Sequence, residues 1–594
     1  MTNPFEKLKA NFAAKSAARK AAREAAKANF VPQGRGKRTA INLLVTLVFG
    51  FVYFYIELPP INLQSQEFYL FFFLLSAVYC VASVITSGIW KAMGQDKFFE
   101  SVKVNCRIPL GICAAFVVII LVGTIFSGQV LRSRAYRDLI EVNDGDFSEE
   151  VEEISFSQIP MLDKDSAERL GDRVLGELSD MVSQFEVADN YTQINYNDRP
   201  VRVTPLEYGD TIKWLSNRSD GLPAYIIVDM VTQNAEVVRL DEGMKYTTSE
   251  HFSRNLYRHI RFRYPTYMFG DATFEIDEEG TPYWVCPRIV KRIGLFGGTD
   301  VRGAVLVNAV TGECEYYTEA PQWVDRVYAA DLIVEQYDYH GQYIHGWLNS
   351  AFGQKDVTVS TDGYNYIAMN DDVYMYTGIT SVGSDQSNIG FILSNLRTKE
   401  TTFYSCAGAT EYSAMDSAEG VVQHLGYTST FPLLLNIGSQ PTYFMSLKDN
   451  AGLVKMYAMV NVSQYQLVAT GTSVAECEQA YLKLLKQNGV SESGGSGEQN
   501  DVLGFVLDIR SSVIDGNTVY YLRLEGGSVF YSISTSAAPQ AAIASVGDTV
   551  RLTPVSDEAE NGIIECVDFE ILSSDALAIT ADPEDDTADT AVEG

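Results

Sequence analysis

Histidine and paired cysteine are what this sequence has least of. Its 594 residues include five histidines and eight cysteines, and no two cysteines form a C-x-x-C pair. There is no H-E-x-x-H, no G-x-S-x-G elbow and no phosphate loop with its lysine. These absences remove the local signatures of helix-borne zinc catalysis, α/β-hydrolase chemistry and P-loop nucleotide binding. They imply no cofactor and weigh against an enzyme, although a distributed catalytic set would leave no local trace. Cys80 and Cys113 lie in apolar runs and Cys106 at the edge of one. The remaining five, Cys286, Cys314, Cys406, Cys477 and Cys566, are an odd set at irregular spacing, as expected of small core residues and not of a disulfide framework.

Positive charge is also scarce, with 45 basic residues against 76 acidic ones and a formal charge of −31. It is concentrated at one end: residues 1–38 hold ten Lys or Arg against two Glu, while residues 573–594 hold none. No aromatic-basic pattern follows the basic tail, which argues against nucleic acid as a partner. Phe5, Leu8 and Phe12 recur at helical spacing, so the tail reads as a basic amphipathic helix on an anionic inner membrane surface, or as a solvated tail that only sets topology.

Three apolar runs, 39–57, 68–90 and 108–127, are long enough to cross about 30 Å of hydrocarbon. Trp90 and Lys91 close the second, and Tyr53, Tyr55 and "ELPP" close the first, as interfacial residues do. The connection 58–67 has no Lys or Arg, whereas 91–107 carries Lys91, Lys97, Lys103 and Arg107. Basic flanks stay in the cytoplasm, so the N-terminus is expected inside and everything after residue 127 outside. Arg132, Arg134 and Arg137 oppose that assignment, but two agreeing flanks outweigh one. No cleavable signal peptide is expected, because the first run lies too deep and lacks a small-residue cleavage site.

Beyond an acidic stretch, 128–164, read as a stalk, residues 165–186 show helical periodicity and the chain then becomes strand-rich. "YIIVDMVTQNAEVVRL", "AVLVNAVTGECEYY" and "FILSNLRTKETTFY" share an apolar strand, Asp or Asn, two residues, Thr and a second strand. Their anchors are Asp229 with Thr232, Asn308 with Thr311 and Asn395 with Thr398, and Asn461 opens a looser fourth copy. Asp and Asn in that position accept backbone N–H groups and reverse the chain. Helices are expected over "PQWVDRVYAADLIVEQY", with Trp323, Val327, Ala330 and Ile333 on one stripe, and over "TSVAECEQAYLKLLKQNG", which opens on a Ser473/Glu476 capping box. The repeating unit therefore reads strand, strand, strand, helix, filling 165–488. A Ser/Gly linker, 489–500, leads to five strands over 501–572 that suggest a small OB-like barrel turning at Asp515-Gly516-Asn517. Residues 573–594 are expected to be disordered.

Few residues invite a site. "GLFGGTD", from Gly294, resembles a phosphate cradle beside Lys291 and Arg292 but opens a strand where a phosphate loop opens a helix. "HFSRNLYRHIRFRYP" gathers Arg254, Arg258, Arg261 and Arg263 among aromatics in an acidic region. These four are the candidate binding residues, for lipid headgroups, a wall polymer or an acidic partner; the alternative is pairing with nearby carboxylates. His340 and His345, near Glu335 and Asp338, are weak metal candidates because their spacing fits no helix-borne pair.

The stretch 160–490, with "SAERLGDRVLGELSDMVSQFEV", "TPYWVCPRIVKRIGLFGGTDVRGAVLVNAVTGECEYY" and "TDGYNYIAMNDDVYMYTGITSVG", resembles a family of multi-span envelope proteins of Firmicutes, often Clostridia. Its units look like PepSY or cystatin folds. The resemblance brings no activity and no catalytic residue. The expectation is an α+β protein with three spans in a bacterial cell membrane and repeated ectodomain units, acting as an envelope interaction or scaffold protein. Its partners would be the lipid bilayer, an envelope protein or wall polymer, and further copies of itself. The alternatives are a regulator of an envelope protease, an unrecognised enzyme, or an accessory subunit of a transport or secretion complex.

Overall fold

The structure, a computed structural model, describes residues 35–87, 96–151, 159–369, 371–383, 387–488, 490, 502–514, 517–527, 529–535, 538–554 and 562–572. The basic tail before residue 35, Trp90, Lys91, the Asp515-Gly516 turn, most of the linker and the acidic tail lie outside the described residues.

Three apolar helices come first: α1 (Arg35–Glu57), α2 (Gln66–Thr86) and α3 (Asp96–Ser127). All three contain segments long and apolar enough to cross a membrane. Most of their large apolar side chains, Leu47, Phe51, Ile108 and Leu121 among them, face outward with no protein cover, as lipid-facing residues do. Between α1 and α2 the polar contact is internal, with the Asn42 amide and Thr86 hydroxyl 2.9 Å apart. Helix α1 stops where Leu58 takes a left-handed conformation (φ 53°) before Pro59 and Pro60, which cannot continue a helix. Ser65 caps α2 by accepting the Glu67 N–H at 3.2 Å.

A fourth helix, α4 (Gln129–Arg137), comes directly after α3. Continued straight, it would carry residue 136 about 13 Å beyond Ser127 at 1.5 Å per residue. The Tyr136 hydroxyl instead donates to the Ser127 carbonyl at 2.7 Å, so α4 folds back across the end of the span.

Four antiparallel-rich sheets then share one strand order. In each, two short strands pair in succession along one long strand, which pairs antiparallel with a second, which forms a hairpin with a third. The long strands are Arg199–Tyr208, Pro282–Ile293, Asp372–Ser381 and Gln440–Lys448. The final hairpins turn on the expected side chains. Asp229 accepts the N–H groups of Val231 and Thr232, both at 2.8 Å; Asn308 those of Val310 and Thr311; Asn395 those of Arg397 and Thr398. Asn461 accepts one, from Gln464, at 2.8 Å, consistent with its looser sequence match.

A helix precedes each sheet, and in the last unit the expected helix, Val474–Gln487, also follows its sheet, with Cys477 and Tyr481 buried in the same core as Met459 and Val460. Leu256 and Ile260 pack on Phe274, Trp284 and Cys286, and Ala330 and Ile333 pack on Val373 and Met375. Two expected helices are also shorter. The first spans Lys164–Gly176, and the second begins at Ala330 instead of near Trp323. In the second case the N–H groups of Val327 and Tyr328 both donate to the Leu396 carbonyl, at 3.0 and 2.8 Å, which fixes that stretch as a link to the next sheet.

The acidic stretch expected as a stalk is built into the fold. Val142–Gly145 adds a parallel strand beside Thr401–Ala409, and Phe147, Val151 and Ile159 are buried in the large core of the last two units. Carboxylate composition masked those three apolar side chains. A closed five-stranded barrel, from Val502 to Ile571, ends the described chain. The result is a mixed α+β protein: three candidate apolar N-terminal helices followed by many sheets.

Candidate functional site at the membrane face

The glycine-rich loop that resembled a phosphate cradle is a socket for the end of α3. The Ser127 hydroxyl, at the last residue of α3, accepts the N–H groups of Leu295 and Phe296 at 2.9 and 3.0 Å. A Cβ on Gly294 would lie 3.1 Å from the Ser127 backbone N, and closer still to its hydroxyl, with φ +59° besides. A Cβ on Gly297 would lie 2.7 Å from the Ser127 carbonyl. On the other side, Gly123 of α3 leaves room for the Phe296 ring, which meets Tyr69 of α2 edge-on at 5.7 Å. Glycine is needed here because two backbones approach within one side chain's width.

The connection between α1 and α2 is held as firmly. Ile61 N–H donates to the Pro265 carbonyl at 2.7 Å, and the Asn62 amide to the Thr266 carbonyl at 2.9 Å. The Gln64 side chain bonds both ways to the backbone of Lys291, donating at 2.9 Å and accepting at 3.3 Å.

The basic segment forms a helix, Leu256–Arg263, seated against the end of α1. Its four candidate arginines are not gathered into one anion site, and their partners among the described residues are backbone carbonyls instead of carboxylates. Arg258 donates to the Tyr55 carbonyl at 3.0 Å and lies 4.4 Å over the Tyr55 ring. Arg261, buried, donates to the Leu58 carbonyl at 2.8 Å and to that of Tyr267. Tyr55 and Leu58 carry carbonyls that the end of α1 leaves without helical partners, and cations there also oppose the negative end of the helix dipole. Burial lowers the Arg261 pKa to about 10, an effect that Glu67 opposes. Arg263 donates to the Gly312 carbonyl at 3.2 Å, where the His259 ring also bonds at 2.8 Å, and Arg254 donates to the Arg218 carbonyl. A cavity of about 560 Å³ opens between this helix and the 58–67 connection, with Glu57, Glu67, Arg261, Asp271 and Lys291 on its wall.

His340 and His345 are not brought together on one ion. The His340 ring bonds the Arg137 carbonyl at 3.3 Å and burial lowers its pKa, while His345 meets Asp356 at 2.9 Å. Among the described residues no three His, Cys, Asp or Glu side chains gather as a metal site. The described cysteines are all free.

A buried acid pair, Glu275 and Asp325, had no signal in the sequence. Glu275 accepts the N–H groups of Asp325 and Arg326 at 2.8 and 3.2 Å, and Asp325 accepts that of Asn195 at 2.7 Å. The two tie the first and second units to the link that enters the third. Burial pushes Glu275 up to about 7, and burial together with the Glu275 charge pushes Asp325 well above the carboxylate range. Both values lie above those of an unfolded chain, so the native state holds the extra proton. The associated stability is complete below about pH 4 and is lost as pH rises through about 7. Thermal unfolding should therefore move to lower temperature between about pH 5 and 8. Glu275→Gln, which keeps a carbonyl acceptor for one of the two N–H groups and leaves Asp325 to titrate, should reduce that slope; an unchanged slope would assign it elsewhere.

No protein-family model and no curated protein matches the chain. Among solved structures, a point mutant of B. megaterium levansucrase aligns over 73% of this chain and 97% of its own, at 8% identity and a TM-score of 0.18. Likeness that slight carries no argument about fold or activity.

Proposed function

We propose that the chain is a membrane-anchored interaction or scaffold protein of a bacterial cell envelope, its sheets forming an external binding array. In this reading the four sheets are PepSY- or cystatin-like repeated units, the terminal barrel is OB-like, and the N-terminus is cytoplasmic. The family is the multi-span envelope group of Firmicutes that the sequence resembles, and the partner is an envelope protein or a wall polymer.

One observation carries the reading: both outer elements of the span bundle, the 58–67 connection and the end of α3, are hydrogen-bonded into the second sheet unit. A tethered enzyme domain needs only a linker, whereas presentation of a surface at a set height and angle needs a rigid base. The repeat logic supports this, since stacked units build extended surfaces.

The test is the full-length chain in nanodiscs, offered peptide, glycan and ester substrates, beside crosslinking in intact cells. The reading predicts no turnover and a recurrent envelope partner; turnover abolished by a single substitution overturns it. Orientation is tested separately. A phosphatase reporter fused after Asn500 should be active, and activity of a cytoplasm-restricted reporter there would reverse the topology.

A further inference from the structure

We propose that the segment Ile344–Phe352, with Val130 and Leu131, is a second membrane attachment: an apolar tip that dips into the outer interface of the bilayer beside the third span.

Position comes first. Helix α4 folds back across the end of α3, so Val130 and Leu131 lie within a turn of Ser127, and they are 60% and 61% exposed. The helix Ala330–Gln342 is seated on α4. The Tyr343 hydroxyl donates to Gln129 at 2.8 Å, the Gln129 amide donates to the Tyr339 hydroxyl at 3.3 Å, and the Tyr136 and Tyr339 rings meet at 4.9 Å. Residue 343 is therefore pinned to a residue two positions beyond the span. The chain then passes Ser133, which lies 3.8 Å from where a Cβ on Gly346 would stand.

Beyond Gly346 the chain makes an ordered turn with apolar side chains outward. Asn349–Gly353 forms a single wide helical turn, closed by Gln354 N–H to the Asn349 carbonyl at 2.7 Å. The Asn349 amide clasps both backbone groups of Lys355, at 2.8 and 3.2 Å. Within this clasp Leu348 and Phe352 are 70% and 79% exposed, and Ile344 is 41% exposed. Trp347 packs inward near Tyr136 and Tyr343, with its ring 6.3 Å from that of Phe352. A soluble loop has no reason to brace side chains of this kind toward water.

Continuity with the span selects lipid as the occupant. The tip adjoins the place where α3 leaves the hydrocarbon, and its rim carries exposed Arg132, Arg134 and Lys355, suited to headgroup phosphates. Of the acids at the rim, Asp356 is held by His345 and Glu335 accepts from Tyr339 at 2.7 Å. The same arginines opposed the orientation assigned from the flanks, and headgroup contact gives them an external role.

The test uses the full chain in nanodiscs of equimolar phosphatidylcholine and phosphatidylglycerol, with a spin-labelled amino acid encoded at position 352 and, as control, at 453. Leu453 is also exposed but lies in the last unit, far along the chain from the spans. The inference predicts that the label at 352 is relaxed more by dissolved oxygen than by a water-soluble nickel chelate, and the label at 453 the reverse. Equal behaviour at both positions overturns it. So does protection of 352 from both reagents together with concentration-dependent pairing, which would make the tip a contact between copies. A Leu348→Glu/Phe352→Glu double variant, altered only at exposed positions, should keep its unfolding temperature in detergent while losing part of it in nanodiscs; an equal temperature in both also contradicts the inference.

Discussion

Replacing Gly297 by valine should unseat the sheet units from α3. The added Cβ would lie 2.7 Å from the Ser127 carbonyl and 3.1 Å from the Ile293 carbonyl, and closer still to the Tyr136 hydroxyl. Two of these neighbours are backbone atoms, which no rotamer change can move. The loop must retreat, and with it go the two N–H bonds to Ser127 and the bond from Tyr136 to the Ser127 carbonyl. Each is worth about 1 kcal/mol net and the overpacking about 1–3 kcal/mol, so the loss should be on the order of 4 kcal/mol. It should appear as a lower unfolding temperature in nanodiscs and as new proteolysis near residues 294–299. Gly420→Ala is the control, because a Cβ there meets nothing within 4 Å. Equal behaviour of the two variants would show that the loop does not bear on the span.

Lys399→Met should cost nearly as much, by a different route. The Lys399 ammonium donates to Asp300 at 2.7 Å, to the Leu139 carbonyl at 3.1 Å and to Gln336 at 3.2 Å. It thereby joins a hairpin of the third unit to the second unit, to the helix Ala330–Gln342 and to the segment after α4. Asp300 is almost fully buried. Without Lys399 it keeps Arg292 at 2.9 Å, but that guanidinium is largely in water. Removing one partner of a buried pair costs about 3–5 kcal/mol, mostly through the charge left behind, and the remaining arginine places this case near the lower figure. Adding Asp300→Asn should recover part of the loss, giving a coupling of about 1–3 kcal/mol in a double-mutant cycle. Strict additivity would remove Lys399 from the account of how the units are joined.

How much of this could be read beforehand depends on whether the cause was local. The three apolar helices were legible because a run long enough to cross hydrocarbon is a property of one segment. The hairpins at Asp229, Asn308 and Asn395 were legible because each side chain bonds to N–H groups two and three residues on. The Ser473 cap is local in the same way, accepting the Glu476 N–H at 3.1 Å. The frame of the repeat was legible only in the last unit, where Val474–Gln487 follows its sheet; elsewhere an apolar stripe shows that a helix packs, but not on which neighbouring sheet.

The candidate site was harder still. The four arginines declare their charge, and pairing with carboxylates was the natural alternative to an external anion. Their carbonyl partners at Tyr55 and Leu58 lie 203 positions away, and Leu295 and Phe296 lie 168 and 169 positions from Ser127. Glu275 and Asp325 carry no local mark, because their burial is made by three elements meeting. The glycines of "GLFGGT" did show that something passes close to the backbone, but a phosphate and a helix end leave the same composition.

The sheet units should be a rigid extension of the three-helix bundle. Pulsed electron-spin distance measurement between labels encoded at 118, on the outward face of α3, and at 212, exposed in the first sheet unit, reads it directly in nanodiscs. A single narrow distance distribution is expected, and it should broaden in Gly297→Val. A broad distribution in the unaltered chain, as a flexible tether would give, would contradict it.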